Sequence, residues 1–530
     1  MINKIKSGIL SGVGGYLIDI EVDISKGMPY FSVVGLAGTE VKESKERVRS
    51  AITNSGFQFP MNRIVVNLSP ADLRKDGSYL DLGICIGMLR SKISKGEDYF
   101  RKSAFLGELS LDGSVKKMSG IISIAISLSK LGIENLYIPF SNYMECSELD
   151  CINIIPVKSV KECVKILNME EKNFNKYIVD LKEEIYSRFS VNKEEKYEEK
   201  EKCCDEDFMF IRGNKIAKRC AEISAAGGHN FLMIGPPGTG KTMIARAMKT
   251  ILPPPDREES LEITQIYSTA GMLDEKSGMV DERPFRSPHH SSTTISIIGG
   301  GINAELGEIT LAHRGILFMD ELPEFSKKTI ESLRQPLEDG IINISRINKS
   351  VTYPADAIFL ATMNPCRCGY YNSGKNCTCS PSEIDRYRNK VSGPILDRID
   401  LFCEVGEIDF NEYNEENINE EKSSDIKERV VRARKVQNER FSELPIHTNS
   451  QMSTREIDRF CRLTSEGEKM GKLFFNKYRM SNRSYTRILK VARTIADLSG
   501  KEEIDERDII EAFSYRKTYY KYFSREEYNA

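Results

Sequence analysis

Through the first 165 residues, short β-branched runs alternate with amphipathic stretches. RIVVNL (Arg63 to Leu68) and NLYIPF (Asn135 to Phe140) have strand character, while VKESKERVRSAI and SGIISIAISLSKL have helical character. The pattern predicts an α/β domain over 1–165. From about Glu170 to Asp207 the sequence is dense in charge, and EEKYEEKEK holds no apolar residue except Tyr197, which predicts a charged linker over 166–207. Strand-like and helix-like segments alternate again over 208–410, and 411–530 is mainly helical. There Ser453 and Glu456 have the spacing of a capping box, and TRILKVARTIADL has the 3.6-residue apolar period. The last sixteen residues, rich in Tyr and Lys/Arg, are predicted as an extended tail. The chain shows no internal repeat.

At 530 residues, and about 150 residues per domain, the chain is too long for one core and long enough for three or four. Hydrophobic residues make up 40% and charged residues 29%, a balance that suits packed domains and not a disordered or fibrous protein. Asp19, Glu21 and Asp23 stand where a signal peptide would need its apolar run, and no window reaches the roughly 18 apolar residues of a membrane span. A cytoplasmic protein with no membrane partner is expected. Thirteen cysteines, an odd number without a secretory signal, point to reduced thiols or metal ligands. Lys and Arg total 76 against 78 Asp and Glu, a net charge of −2, which excludes a globally basic nucleic-acid coat but not a local positive surface.

The sharpest signal is FLMIGPPGTGKTMIARAM, a strand-like run, a glycine-rich loop and a helix start. Gly235, Pro236, Pro237, Gly238, Thr239, Gly240, Lys241 and Thr242 form G-x-x-x-x-G-K-T in the context that motif requires. Backbone N–H groups of such a loop close around phosphate oxygens, Lys241 places charge on the β and γ phosphates, and the Thr242 hydroxyl can ligate Mg²⁺. Nucleoside triphosphate binding follows. About eighty residues on, GILFMDE is an apolar strand ending in Asp320 and Glu321. Asp320 is placed to hold Mg²⁺ through water and Glu321 to polarise an attacking water as general base. ATMNP is a further strand ending in Asn364, whose amide could orient that water.

After this strand, Cys366-Arg-Cys368 and Cys377-Thr-Cys379 form two C-x-C pairs eight residues apart, with Gly369, Asn372 and Gly374 allowing a tight turn. Four thiolates at this spacing can close a tetrahedral Zn²⁺ site with a structural role; four free thiols on a reduced loop are the alternative. His289 and His290 are adjacent, do not point at one centre, and are read as loop contacts rather than metal ligands. Cys203 and Cys204 lie in the linker and are given no special role.

The segments IRGNKIAKRCAEISAAGGHNFLMIGPPGTGKT, FRSPHHSSTTISIIGGG, GEITLAHRGILFMDELPEF, LRQPLEDG, ATMNPCRCG, GPILDRIDL and SYTRILKVARTIADL together resemble the magnesium-chelatase-like AAA+ ATPases, most closely the ComM/YifB branch. The resemblance covers nearly the whole chain. It implies an AAA+ P-loop ATPase core, a helical C-terminal lid and a homo-hexameric ring with ATP between subunits. It also implies DNA helicase or branch-migration activity on single-stranded or branched DNA, in recombination or natural transformation. By this resemblance Arg398 in LDRIDL is the arginine finger that reaches a neighbour's γ-phosphate; a surface arginine paired with Asp397 or Asp400 is the plainer alternative. Arg483 stands at the second sensor position, with Arg487 one turn later as the competing candidate. FRSPHHSSTTISIIGGG is similar to the family's insert in helix 2, although the usual prolines before GEI are replaced by Asn303-Ala-Glu-Leu-Gly307. IINISRINKSV alternates as a hairpin does and matches the pre-sensor hairpin that faces the pore in relatives. That places Arg346 and Lys349 against a nucleic-acid backbone; an ordinary exposed hairpin tip is the alternative.

VNLSPADLRKDGSYLDLGICIGML and AFLGELSLDGSVKKMSGIISIA resemble the Lon-protease-type fold, related to ribosomal S5 domain 2. A Lon-type protease uses a serine nucleophile and a lysine base, and alignment on KDG and GELSLDGSV puts Tyr79 and Ile122 at those two positions, with Ser78 one residue out of register. Proteolysis is thereby disfavoured and a ring-forming or nucleic-acid-contacting platform expected. Two functions remain in competition: an ATP-driven DNA motor, and a chelatase-type ATPase subunit that remodels a partner for metal insertion. The four-cysteine insert and the Lon-like domain favour the motor, because the resemblance implies that chelatase motor subunits lack that N-terminal extension.

Overall fold

The β-branched runs of the N-terminal region pair into a mixed seven-stranded sheet. Its spatial order is Tyr30–Val34, Arg63–Ser69, Gly14–Ser25, Ile2–Ser11, Ser103–Phe105, Asn135–Pro139, Asn153–Val157. The two longest strands run antiparallel through a tight turn, and Ser103–Phe105 onwards is parallel. Successive side chains point to opposite faces of a strand, so Ala104, Leu136, Ile138 and Ile154 enter one buried cluster and Phe105, Tyr137, Ile155 and Val157 another. The computed structural model describes residues 2–190, 206–301, 304–346, 349–407 and 420–523.

The chain divides into two compact units, Met1–Lys200 with Asp256–Asp281, and Glu201–Pro255 with Glu282–Ala530. These bounds differ from the compositional ones in two places. Residues 166–190 are not linker: Glu171–Ser190 is a helix whose Leu181 and Ile185 are buried in the first unit, while 191–205, including Cys203 and Cys204, lie outside the described residues. The segment 256–281, expected within the ATPase core, belongs to the first unit. Its helix Arg257–Thr269 starts with a full capping box, Asp256 with Glu259. The segment is fastened by the Gly120 N–H donating to the Ser268 carbonyl (3.0 Å) and the Lys117 ammonium donating to the Leu273 carbonyl (2.5 Å).

In the second unit five parallel strands lie in the order Phe285–Arg286, Ile316–Met319, Ile358–Met363, Phe231–Ile234, Leu401–Glu404. Three of them are wholly buried, as strands covered on both faces by helices are. The helical region shares this core: Ile488, Ala492, Ile495, Ile509 and Phe513 join Phe231, Phe318, Leu360 and Leu401 in one cluster. Ser453 and Glu456 do form the capping box of helix Thr454–Phe460, and TRILKVARTIADL lies in helix Asn482–Leu498. The described part of the last sixteen residues is helix and not an extended tail. Residues up to Phe523 continue helix Glu506–Phe523, with Tyr515, Arg516 and Tyr522 buried and the Arg516 guanidinium 5.2 Å from the Phe402 ring centre; 524–530 lie outside the described residues. Ile341–Arg346 and Lys349–Pro354 form the expected antiparallel hairpin, with Arg346 opposite Lys349 in backbone register. The insert before Glu308 consists of helix Thr294–Ile298 and a two-residue hairpin, Gly299–Gly300 with Glu305–Leu306; Asn303 lies outside the described residues.

Candidate active site

The sheet register sets the site. Ile234 pairs with Met363, and Met319 pairs with Ala361, so Gly235, Asp320 and Asn364 all emerge at the carboxyl ends of neighbouring parallel strands, where open α/β sheets place their ligand crevice. Gly238 and Gly240 take left-handed backbones with φ of 81° and 84°, which glycine adopts without a Cβ penalty. They let the loop fold over the start of helix Lys241–Ile251. The Lys241 ammonium donates to the Gly235 and Pro236 carbonyls, 2.7 Å each, and lies 3.4 Å from Asn364 Oδ1. Burial pushes its pKa down to about 8, against the opposing pull of Asp320 and Glu321.

A pH dependence follows. The protonated ammonium is the form that attracts phosphate, and its population falls as pH rises through about 8. Nucleotide affinity should be flat below pH 7 and about tenfold weaker at pH 9, because binding then has to take up a proton. Titration of a fluorescent ATP analogue across pH 6.5–9.5 reads this out. A flat profile to pH 9.5 would mean that the lysine stays charged throughout.

Thr362, on the strand beside Asp320, is fully buried and organises the acidic pair. Its hydroxyl donates to Asp320 Oδ1 and accepts the Glu321 N–H at 3.0 Å. The Thr242 hydroxyl donates to Asp320 Oδ2 at 3.1 Å. A hydroxyl and a carboxylate are thus side by side, the oxygen donors Mg²⁺ takes. Glu321 itself has φ of 51°, an uncommon conformation for a non-glycine residue. The sequence gives Thr362 one signal, a polar residue in an otherwise apolar strand, and only the register reveals its partner.

Arg398, Arg483 and Arg487 lie together, away from this crevice. The Arg398 backbone carbonyl accepts from Asn230, the residue before strand Phe231–Ile234, whereas the phosphate loop follows that strand. The Arg398 guanidinium pairs with Glu338 and donates to the Pro394 carbonyl at 2.6 Å. Arg483 binds the same carboxylate at 2.8 Å. The Arg398 partner is therefore Glu338, and neither Asp397 nor Asp400. Asp400 instead pairs with Arg487, and His229 Nδ1 lies 3.2 Å from its carboxylate. Burial alone would raise the Asp400 pKa, but Arg487 and His229 outweigh it and hold the carboxyl far below its usual range.

The four cysteines converge. Cys366 Sγ lies 3.3 Å from Cys368 Sγ and 3.7 Å from Cys377 Sγ, Cys368 Sγ lies 3.5 Å from Cys377 Sγ, and with Cys379 all four sulfurs fall within 4.8 Å of one another. A tetrahedral Zn–S distance of about 2.3 Å separates sulfurs by about 3.8 Å, so the set fits that ion. Backbone N–H groups of Tyr370 and Thr378 hydrogen-bond to Cys368 and bring its thiol down to about 6. His289 and His290 are exposed, with ring centres 4.0 Å apart, and among the described residues they belong to no ligand cluster. Backbone register is all that is described for Arg346 and Lys349.

In the first unit the Tyr79 phenol donates to the Ser119 carbonyl at 3.1 Å, and burial raises its pKa to about 12. Ile122 is fully buried, and the Ser78 hydroxyl donates to the Glu108 carboxylate. None of the three offers a serine–lysine dyad.

A G-x-x-x-x-G-K-T loop, an acidic strand end and an asparagine gathered at one edge of a parallel sheet define a P-loop nucleotide-binding protein. Residues 207–413 match the family described as Magnesium chelatase, subunit ChlI, residues 20–142 match Subunit ChlI of Mg-chelatase, and residues 420–516 match Magnesium chelatase, subunit ChlI C-terminal. The chain is 38% identical over 507 residues to Competence protein ComM of Haemophilus influenzae, covering 95% of each. It is 37% identical over 505 residues to Uncharacterized protein YifB of Escherichia coli (strain K12), again 95% of each. A Lon protease of the Aster yellows witches'-broom phytoplasma is 26% identical over 162 residues, 28% of this chain and 20% of that protein. The chain belongs to the ComM/YifB family of magnesium-chelatase-like AAA+ ATPases. Among the described residues no helix is long and apolar enough to cross a membrane.

Proposed function

We propose that this protein is an ATP-driven DNA motor of the helicase or branch-migration type, working as a homo-hexamer in natural transformation or recombination. The observation that carries the motor reading is the hairpin Ile341–Arg346 with Lys349–Pro354, which ends in two opposed basic residues; similarity to a competence protein over 95% of both chains adds the biological setting. In this reading Lys241 and the loop amides hold the phosphates, Glu321 takes a proton from the attacking water, Asn364 orients that water, and Arg398 and Arg483 serve a neighbouring subunit. Mg²⁺ held by Thr242 and Asp320 would neutralise charge on the β and γ phosphates. Zn²⁺ on Cys366, Cys368, Cys377 and Cys379 would be structural, since protein ligands fill all four positions.

The family descriptions name a chelatase subunit, and residues 20–142 match one of them, so an N-terminal extension does not separate motor from chelatase. DNA does. Arg346→Ala/Lys349→Ala should weaken DNA binding across sequences and flatten the slope of log K against log salt by about 1.4 to 1.8, two phosphate contacts' worth. Stimulation of ATPase by single-stranded or forked DNA should be lost with it. If the unaltered protein's ATPase ignores DNA, or the double variant unwinds DNA at the wild-type rate, the motor reading fails and the chelatase-type function takes its place.

A further inference from the structure

The four-cysteine loop is built against the nucleotide site. Cys366, fully buried, follows Asn364 by two residues, and the Asn364 amide oxygen lies 3.4 Å from the Lys241 ammonium. On the next turn Gly369, with φ of 89°, sits so close to the phosphate loop that a Cβ added there would stand 2.7 Å from Pro237 Cδ and 3.3 Å from its Cγ. The far side of the loop is held as well: Arg388 Nε donates to the Pro365 carbonyl at 3.1 Å, and its guanidinium lies 4.9 Å from the centre of the Tyr371 ring.

We propose that the metal on the four cysteines fixes the phosphate loop, so that metal occupancy and nucleotide affinity are thermodynamically linked. The proposal rests on the four-cysteine set holding zinc. A metal that ties Cys366 and Cys368 to Cys377 and Cys379 holds the backbone at Gly369 in place. Gly369 bears on Pro237, whose ring locks its own φ, so displacement there passes to Gly238, Thr239 and Gly240, the residues whose N–H groups must face phosphate. The same four thiolates anchor the end of the Asn364 strand, so metal loss releases two walls of the crevice at once. Linkage is reciprocal: if metal tightens nucleotide by a given factor, nucleotide tightens metal by that factor.

The test uses the full chain. Elemental analysis of protein purified without chelators should give about one zinc per chain, as a closed four-thiolate site holds one ion. Stripping it should weaken binding of a fluorescent ATP analogue about tenfold, within the roughly 5- to 150-fold that coupling between two sites usually spans. With metal loaded, competition against a chromophoric zinc chelator should show zinc held tighter by the same factor when ATP is present, which needs no stripped protein. Gly369→Ala keeps all four thiolates and should keep its zinc, yet bind nucleotide more weakly, because its methyl group meets Pro237 and its left-handed backbone disfavours a Cβ, so that the loop shifts against the phosphate loop. No zinc would remove both the metal site and the linkage. Zinc present, with affinity for it unmoved by ATP and nucleotide affinity unmoved in Gly369→Ala, would overturn the linkage and leave the metal site standing.

Discussion

Glu321→Gln is expected to bind ATP at near wild-type affinity and to turn it over about 10²- to 10⁴-fold more slowly, the usual worth of a positioned general base. In the proposed mechanism the phosphate cradle is Gly238, Gly240 and Lys241, beyond the end of strand Phe231–Ile234, and Glu321 lies beyond the end of strand Ile316–Met319, with strand Ile358–Met363 between the two. An amide there removes the basic oxygen and leaves the cradle untouched. The backbone supports this assignment. A non-glycine residue held in the left-handed region costs of order 1–3 kcal/mol and persists where its surroundings fix it. Here Thr362 fixes it, by accepting the Glu321 N–H at 3.0 Å. Lys241→Ala should behave in the opposite way and lose binding itself. Phosphate release and fluorescent-nucleotide titration, measured on both variants, separate the two; turnover near wild type in Glu321→Gln would strip Glu321 of the base role.

What was legible in the sequence divides along physical lines. The phosphate loop, acidic strand end and cysteine pairs are local patterns, complete within a few residues, and the structure brings each group together. Partners set by sheet register or by distant chain segments were not legible. Thr362 meets Asp320 only because Met319 pairs with Ala361, and no periodicity announces a parallel register. Glu338 collects Arg398 and Arg483 from segments 60 and 145 residues away. The helix Glu171–Ser190 was hidden differently. Its average is polar, but Phe174, Tyr177, Ile178, Leu181 and Ile185 recur at three- and four-residue intervals and pack against the first unit's two clusters, a stripe that a composition window averages away. For the segment 256–281 the sequence contained the helix and its cap but nothing to say which unit it joins.

An Arg398→Ala chain and a Lys241→Ala chain, each inactive alone, are expected to regain part of the ATPase activity when mixed. Arg398 is joined to Asn230 at the start of strand Phe231–Ile234, and Lys241 lies beyond its other end. The strand's four residues span roughly 13 Å at 3.3 Å each, longer than an arginine side chain. In the proposed motor an arginine so placed would serve a phosphate on another chain, and a finger supplied that way is worth about 10³- to 10⁵-fold in kcat. In that reading the guanidinium keeps donor capacity for such a ligand. Glu338 neutralises it in the single chain, and its buried Nε–H has no acceptor among the described residues. In the proposed homo-hexamer, mixing creates interfaces that join an intact phosphate loop to an intact finger. Arg483 shares the Glu338 carboxylate with Arg398, so Arg483→Ala should complement Lys241→Ala in the same way. Subunit exchange is followed by labelled chains. If exchange occurs and the Arg398→Ala mixture stays as inactive as its parents, the arginine does not act across an interface.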